Sequence, residues 1–305
     1  MKKNPLGNTG FNTSVIGVGL AEIGYELNLN QRDDASHLLN SAIDNGINFL
    51  DTAACYGISE ELIGLTVSNR RDEYFLATKA GHSQNNTYSD WSYEAITHSI
   101  NESLKKLKTD RVDLVQLHSC SAEILKKGDS INALQDALKS GKTRFIGYSG
   151  DNDDAHWAVD SGIFSTLQTS YNIVEQRARS TNLLEKASKN NMGIIIKRPI
   201  AGSAWAKAKI NSKDLRMYDN IYLNRAIKMQ SIGDIDLEPS DGISTSIAFT
   251  INNPYVSVAI IGTKNPEHLI ENINQVNKNS PLTESVLVEL HKRFDDLDDN
   301  WVQQT

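Results

Sequence analysis

Asp51, Tyr56, Lys79 and His118 are the residues of this chain whose types and spacing could move a proton. Asp51 ends the short apolar run 48–51, and Tyr56 follows it in Thr52-Ala53-Ala54-Cys55-Tyr56-Gly57. Lys79 follows Thr78 at the end of the run 74–78, and His118 follows Leu117 at the end of 112–117. A phenol ionises near pH 10 and gives up protons poorly at neutrality. An ammonium beside it stabilises the phenolate and can draw that pKa down by about 1–3. The ammonium in turn needs a carboxylate to offset its own burial. An imidazole N–H aimed at a substrate oxygen would position and polarise a carbonyl. Singly, each residue has a plainer reading as a helix cap, a packing residue, a solvated charge or a core histidine. Their joint fall at the ends of three successive runs is what chance does not readily give.

A second signal lies in Ile260-Ile261-Gly262-Thr263-Lys264-Asn265-Pro266-Glu267-His268. Asn265 can cap a helix and Pro266 suits its first turn. The amino end of that helix offers free N–H groups, to which Thr263 adds a hydroxyl and Lys264 a cation, so the segment predicts an anion site. Ser149 and Gln168, at the ends of two further runs, are side chains able to hydrogen-bond an amide.

The elements that must position these groups alternate. Apolar runs at 15–20, 48–51, 74–78, 112–117, 144–148, 166–168, 193–197 and 257–261 read as buried parallel strands. Between them lie helical stripes: Ala35, Leu38, Leu39, Ala42 and Ile43, ended by Asn45-Gly46; Ile96, Ile100, Leu104 and Leu107; and Ile131, Leu134 and Leu138, closed by Gly141. Eight strands each followed by a helix predict an α/β fold, a (β/α)8 TIM barrel whose chemistry gathers at the carboxyl ends of the strands. An open doubly wound sheet is the rival, but Gly17-Val18-Gly19 is a weak fingerprint and no helix is expected directly behind it. Leu6-Gly7-Asn8-Thr9-Gly10 predicts a tight N-terminal hairpin capping the barrel floor. The long segment 199–239, with an extra helix over 220–229, and a final helix over 284–297 extend the pattern.

The 305 residues read as one domain, 1–305, with no low-complexity linker. A net charge of −7 argues against nucleic acid as the main partner, and no stretch approaches the roughly 20 apolar residues that span a bilayer. Two cysteines, Cys55 and Cys120, in no metal-like or redox-like spacing suit a reducing compartment, and a cytoplasmic location is expected. Met1-Lys2-Lys3 lacks the apolar segment of a signal peptide behind it.

Over nearly the whole length the sequence resembles the aldo-keto reductase superfamily. Asp44-Asn45-Gly46-Ile47-Asn48-Phe49-Leu50-Asp51-Thr52-Ala53 with Tyr56-Gly57 is similar to that family's signature. So are Leu76-Ala77-Thr78-Lys79 and the stretch from Ser103-Leu104-Lys105-Lys106-Leu107 to Asp113-Leu114-Val115-Gln116-Leu117-His118. The resemblance implies a tetrad in which Tyr56 is the general acid, Lys79 lowers its pKa, Asp51 holds Lys79 and His118 orients the carbonyl, with no metal. It implies a nicotinamide cofactor on Gly19, Leu20, Asp51, Ser149, Gln168, Arg198, Ile200, Gly262, Thr263, Lys264, His268, Glu271 and Asn272. In that set Thr263 and Lys264 meet the 2′-phosphate near His268, Glu271 and Asn272 meet the adenine, and Ser149 and Gln168 meet the carboxamide. The loop Lys197-Arg198-Pro199-Ile200-Ala201-Gly202 cradles the pyrophosphate. NADPH is favoured, with NADH left open.

The chain departs from the family pattern at Gly150, where Asn is common, at Lys197, where an aromatic ring often stacks on the nicotinamide, and at His268, where Arg is frequent. Tyr25, Tyr88 and Trp91 are candidates to line a pocket for a small carbonyl substrate. The unusual Lys197 and Gly150 keep a second reading open, a cofactor-binding redox sensor or regulatory subunit of very slow turnover. A metal-dependent hydrolase would want an H-x-H pair, and the seven histidines form none.

Overall fold

Eight parallel strands close on themselves in the computed structural model, which describes residues 1–83, 87–208, 217–236, 241–278, 281–298, 301–302 and 304. Two short antiparallel strands come first, β1 (Lys3–Pro5) and β2 (Asn12–Ser14). The barrel follows as β3 (Ile16–Gly19), β4 (Phe49–Asp51), β5 (Phe75–Ala80), β6 (Val112–His118), β7 (Thr143–Ser149), β8 (Thr166–Ser170), β9 (Gly193–Lys197) and β10 (Val258–Gly262). Each barrel strand pairs in parallel with the next, and β10 closes the ring by pairing with both β9 and β3. This is the predicted (β/α)8 barrel.

The helices are α1 (Ala21–Glu26), α2 (Arg32–Asp44), α3 (Ser59–Thr66), α4 (Tyr93–Lys106), α5 (Ala122–Lys127), α6 (Asp129–Lys139) and α7 (Asn152–Asp160). They continue with α8 (Arg177–Ser180), α9 (Leu183–Lys189), α10 (Ala204–Lys207), α11 (Met217–Gln230), α12 (Gly242–Ile251), α13 (Pro266–Lys278) and α14 (Glu284–Leu297). The stripe of α2 is buried as expected, from Ala35 through Ile43, and Gly46 ends it at φ +86°. Leu138 on α6 is instead exposed, so the buried face of that helix runs through Ile131, Ala133, Leu134 and Ala137.

Alternation along the strands decides what enters the barrel. Phe49, Phe75, Ala77, Leu114, Ile195, Val258 and Ile260 form a separate inner cluster, with Leu6 plugging its lower end. Phe49 and Phe75 stack there at 5.5 Å. Two residues further along the same inward faces stand Asp51, Lys79, Gln116, Lys197 and Gly262. The apolar floor therefore gives way to a polar mouth within one or two steps of each strand.

Two sequence expectations change. A short helix, α1, does open directly behind Gly17-Val18-Gly19; its six residues are too few to show a helical stripe. The N-terminal hairpin exists, but its turn is a 3-10 segment over Gly7–Thr9 rather than a tight two-residue loop. Its Gly7 has φ +54° and packs so closely on the chain at 191–193 that a Cβ would lie 2.2 Å from the Gly193 nitrogen. The final helix α14 forms over the expected residues. It packs by Leu290 and Phe294, its Leu290 carbonyl accepting from Gln176 on the mouth side and its Arg293 donating to the Met229 carbonyl of α11. Of the segment 199–239, α10 and α11 are seen, while 209–216 and 237–240 lie outside the described residues.

Candidate active site

Lys79 Nζ donates to Asp51 Oδ2 at 2.5 Å and to the Thr52 carbonyl at 2.9 Å, and both charged side chains are buried. The other Asp51 oxygen accepts from Gln168 Nε2 at 2.8 Å and from Gln116 Nε2 at 3.4 Å. Asp51 thus has partners on both oxygens, which a buried carboxylate requires. Sequence reasoning missed Gln116, although its place on β6 two residues before His118 puts it on the same inward face.

Tyr56 rides on the turn after β4. Its carbonyl accepts from Ser59 N at 3.0 Å, while Ile58 N donates to Gly24 O at 3.2 Å and ties the turn to α1. The approach is close enough that a Cβ on Gly24 would stand 2.0 Å from Tyr56 O, and Gly57 takes φ +51°. Tyr25 Oη donates to the Cys55 carbonyl at 2.8 Å, fixing the turn from the other side. Lys79 Nζ lies 4.8 Å from the centre of the Tyr56 ring.

Burial raises the Tyr56 phenol above its ordinary value, outweighing the lowering by Lys79. Lys79 does lower this pKa, by its charge and by a hydrogen bond, as its expected role requires, but desolvation of the phenolate is the larger effect. Burial also works against the Lys79 charge, but Asp51 and then Tyr56 overcome it and hold Lys79 above its ordinary value. An ammonium and a neutral phenol are the result. His118 is held neutral, its pKa lowered to about 2, first by burial and then by Lys79 and Lys197. The His118 ring meets the Tyr56 ring edge-on at 5.8 Å, Cys55 Sγ lies 3.4 Å from His118 Nδ1, and Trp91 Nε1 donates to His118 O at 3.0 Å.

These groups line a cavity of about 1080 Å³ at the carboxyl ends of the strands. Of the residues expected to hold a cofactor, Gly19, Leu20, Asp51, Arg198, Ile200 and Gly262 border it, as do Tyr25 and Trp91 of the expected substrate pocket. Ser149 and Gln168 lie buried beneath, Ser149 Oγ donating to Gln168 Oε1 at 3.0 Å. Thr263 accepts from Asn265 N at 3.1 Å, and Asn265 Oδ1 accepts from Glu267 N at 2.9 Å, so Asn265 caps α13 as read from sequence. Lys264 pairs with Glu26 at 2.8 Å. His268 is exposed on α13, Asn272 is buried, and Glu271 faces a groove between α2 and α13 that also holds His37 and Ser41. Tyr88 turns outward onto the ring of His98, 5.6 Å away, and does not border the cavity.

The lining residues that escaped the sequence reading include three ionisable ones, His82, Glu22 and Lys207. His82 could have been found, since it stands three residues past Lys79; its Nδ1 pairs with Asp90 at 3.0 Å and its ring packs on Trp91. Lys197 also borders the mouth, its ammonium 3.0 Å from Asp151. The following loop carries positive φ at Arg198, Ala201, Gly202 and Ser203, and its Ala201 and Ser203 N–H groups close turns on the Arg198 and Ile200 carbonyls. A large mouth with a cation-bearing loop, facing glycines at 19 and 262 and a capped helix behind it suits an extended anionic cofactor.

Comparison with known proteins agrees. Residues 15–292 match the model of the aldo/keto reductase family, and the chain belongs to that family. It is an NAD(P)H-dependent oxidoreductase acting on carbonyl compounds. It is 28% identical to an uncharacterized oxidoreductase, YqkF, of Bacillus subtilis, over 91% of this chain and 92% of that one. It is 37% identical to L-galactose dehydrogenase of Arabidopsis thaliana over 152 residues, 48% of this chain and 47% of that one. The holo form of aldo-keto reductase AKR11C1 from Bacillus halodurans shares the fold, with TM-score 0.79 at 21% identity over 96% of each chain. Among the described residues no helix is long and apolar enough to cross a membrane.

Proposed function

We propose that the whole chain, 1–305, is one barrel domain that reduces an aldehyde or ketone to the alcohol, reversibly, with NADPH as the preferred cofactor. A reduced nicotinamide held by the chain would supply the hydride for the carbonyl carbon and would itself become oxidised. Tyr56 Oη gives its proton to the carbonyl oxygen and regains one from solvent. Lys79, anchored by Asp51, offsets the charge left on Tyr56 as the proton departs, which is where its influence on that phenol matters. His118, neutral, donates a hydrogen bond to the same oxygen. Arg198 and Ile200 would hold the pyrophosphate, with Gly19, Leu20 and Gly262 flanking it. Ser149 and Gln168 would reach the carboxamide, Thr263 and Lys264 the 2′-phosphate, and His268, Glu271 and Asn272 the adenosine.

The buried Lys79–Asp51 pair beneath a neutral Tyr56 is the observation that carries this reading. Tyr56→Phe tests it. Turnover of a reactive aldehyde, followed by loss of reduced nicotinamide absorbance, should fall by about 10²–10⁴, with NADPH affinity retained. A variant that keeps wild-type turnover removes Tyr56 from the chemistry.

A further inference from the structure

Among the described residues, the ring of His118 has one side-chain hydrogen-bond partner, the thiol of Cys55. The Cys55 Sγ to His118 Nδ1 separation of 3.4 Å is a normal distance for a bond involving sulfur. The thiol is not free to wander. Its own carbonyl is held by Tyr25 Oη, the nitrogen before it by Lys79 O at 3.1 Å, and the nitrogen after it by Ala53 O at 3.0 Å.

We propose that Cys55 is a positioning residue for carbonyl reduction: its S–H donates to His118 Nδ1 and so keeps the imidazole proton on Nε2. The inference rests on the role given above to His118. A neutral imidazole has one N–H and one lone pair, and which nitrogen holds which is set by what the other nitrogen meets. If Nδ1 accepts from the thiol, Nε2 carries the hydrogen and can donate to a carbonyl oxygen. If Nδ1 carried the hydrogen instead, it would face sulfur, a weak acceptor. Nε2 would then present a lone pair to the carbonyl's own lone pairs, a repulsive contact. Burial keeps the thiol protonated, above its ordinary value, and Lys79 opposes this only in part. The donor is therefore present at neutral pH, where the imidazole is neutral as well. A residue directly before the acid thus acts on the group that orients its target.

The test uses the full chain. Nitrogen-15 spectra of the histidines, without cofactor, should assign the Nε2–H form to His118 in the wild type and in Cys55→Ser. They should show a mixture of forms in Cys55→Ala. Reduction of a test aldehyde should fall about tenfold in kcat for Cys55→Ala, the loss of one ordinary hydrogen bond, with NADPH affinity unchanged. Cys55→Ser, which keeps a donor, should recover most of it. In a His118→Ala background the Cys55→Ala change should have no further effect. The proposal is overturned if wild-type His118 carries its proton on Nδ1, or if Cys55→Ala leaves the tautomer unchanged. It is equally overturned if the serine and alanine variants lose the same activity, or if Cys55→Ala costs as much without the imidazole as with it. The spectra need no turnover, so they stand apart from a failure of the Tyr56 chemistry, which Tyr56→Phe would reveal alone.

Discussion

Lys264 Nζ lies 2.8 Å from a carboxylate oxygen of Glu26, joining the end of α1 to the loop before α13 across the edge of the mouth. Both partners are partly exposed, at 49% and 30% of the side chain, so the pair adds little to stability. Under the proposed role of Lys264 it bears instead on cofactor choice. A 2′-phosphate arriving at Lys264 must share that ammonium with a carboxylate or displace it. Glu26→Gln removes the competitor and keeps the shape. NADPH should then bind about threefold to fivefold more tightly, in line with a surface pair of up to about 1 kcal/mol, while NADH affinity stays level. Titration of protein fluorescence with each cofactor at low and high salt checks this, and the gain should shrink as salt rises. An unaltered NADPH affinity would take Lys264 away from the phosphate.

The neutrality of His118 makes a pH prediction with two parts. Its pKa is pushed to about 2 by burial and by the cations Lys79 and Lys197. No limb due to this imidazole should therefore appear in kcat/KM across the neutral and mildly acidic range. Stability behaves differently. The unfolded chain protonates this histidine near 6.5 while the folded one resists until about 2, so acid favours unfolding. The His118 contribution is intact above 6.5 and declines steadily as pH falls through that window. Urea midpoints measured from neutral to acidic pH should show a shallower decline in His118→Asn than in the wild type. Parallel curves would mean that the imidazole titrates normally.

Much of this site could be read from strand ends. Apolar runs flanked by helical stripes gave all eight barrel strands, because a strand buried on both faces leaves a continuous signature. Asp51, Lys79 and His118 could be placed because a strand's last inward residue must face the mouth. Pairings across the barrel were not legible. Nothing in the sequence marks Gln116 as a partner of Asp51, or Glu26 as a partner of Lys264, since those contacts join residues remote along the chain. The sign of the Tyr56 pKa also depends on burial, which a list of neighbouring charges does not contain. Tyr88 shows the converse, an aromatic in a mouth-side loop that packs outward on His98.

Lys197 stands where the family often has an aromatic ring, and its pairing with Asp151 accounts for how a charge is tolerated there. Asp151 also accepts from Thr169 Oγ1 at 2.8 Å and from Ser170 N at 2.7 Å. Burial works to raise the Asp151 carboxyl, but Lys197 and these donors pull it below its ordinary 3.8. Its stabilising effect is thus present above 3.8 and disappears as pH drops through the folded-state value. Lys197→Met leaves the carboxylate buried without its cation. That change should cost about 3 kcal/mol at neutral pH and move acid unfolding, followed by circular dichroism, to higher pH. The double variant Lys197→Met with Asp151→Asn should recover part of the loss. Equal acid midpoints in wild type and Lys197→Met would mean that the pair does not hold the carboxyl down.

Asp113 offers a control at the opposite end of the barrel, where only stability is at stake. It is the second residue of β6, and its carboxylate accepts from the backbone nitrogen of Leu76 at 2.8 Å, from Arg71 at 2.7 Å and from Arg144 at 3.1 Å. One buried side chain thus ties β5, β6 and β7 together near their amino ends, far along β6 from His118. Asp113→Ala orphans a buried backbone N–H and leaves two guanidinium groups without their shared anion. A loss of about 3–5 kcal/mol in urea unfolding is expected. Below the unfolding transition, kcat and NADPH affinity should match the wild type, because Asp113 and its partners Leu76, Arg71 and Arg144 are not among the residues that line the mouth. A fall in kcat in folded protein would show that the floor governs strand positions at the mouth, and the Tyr56 and Cys55 variants would then have to be compared at matched stability.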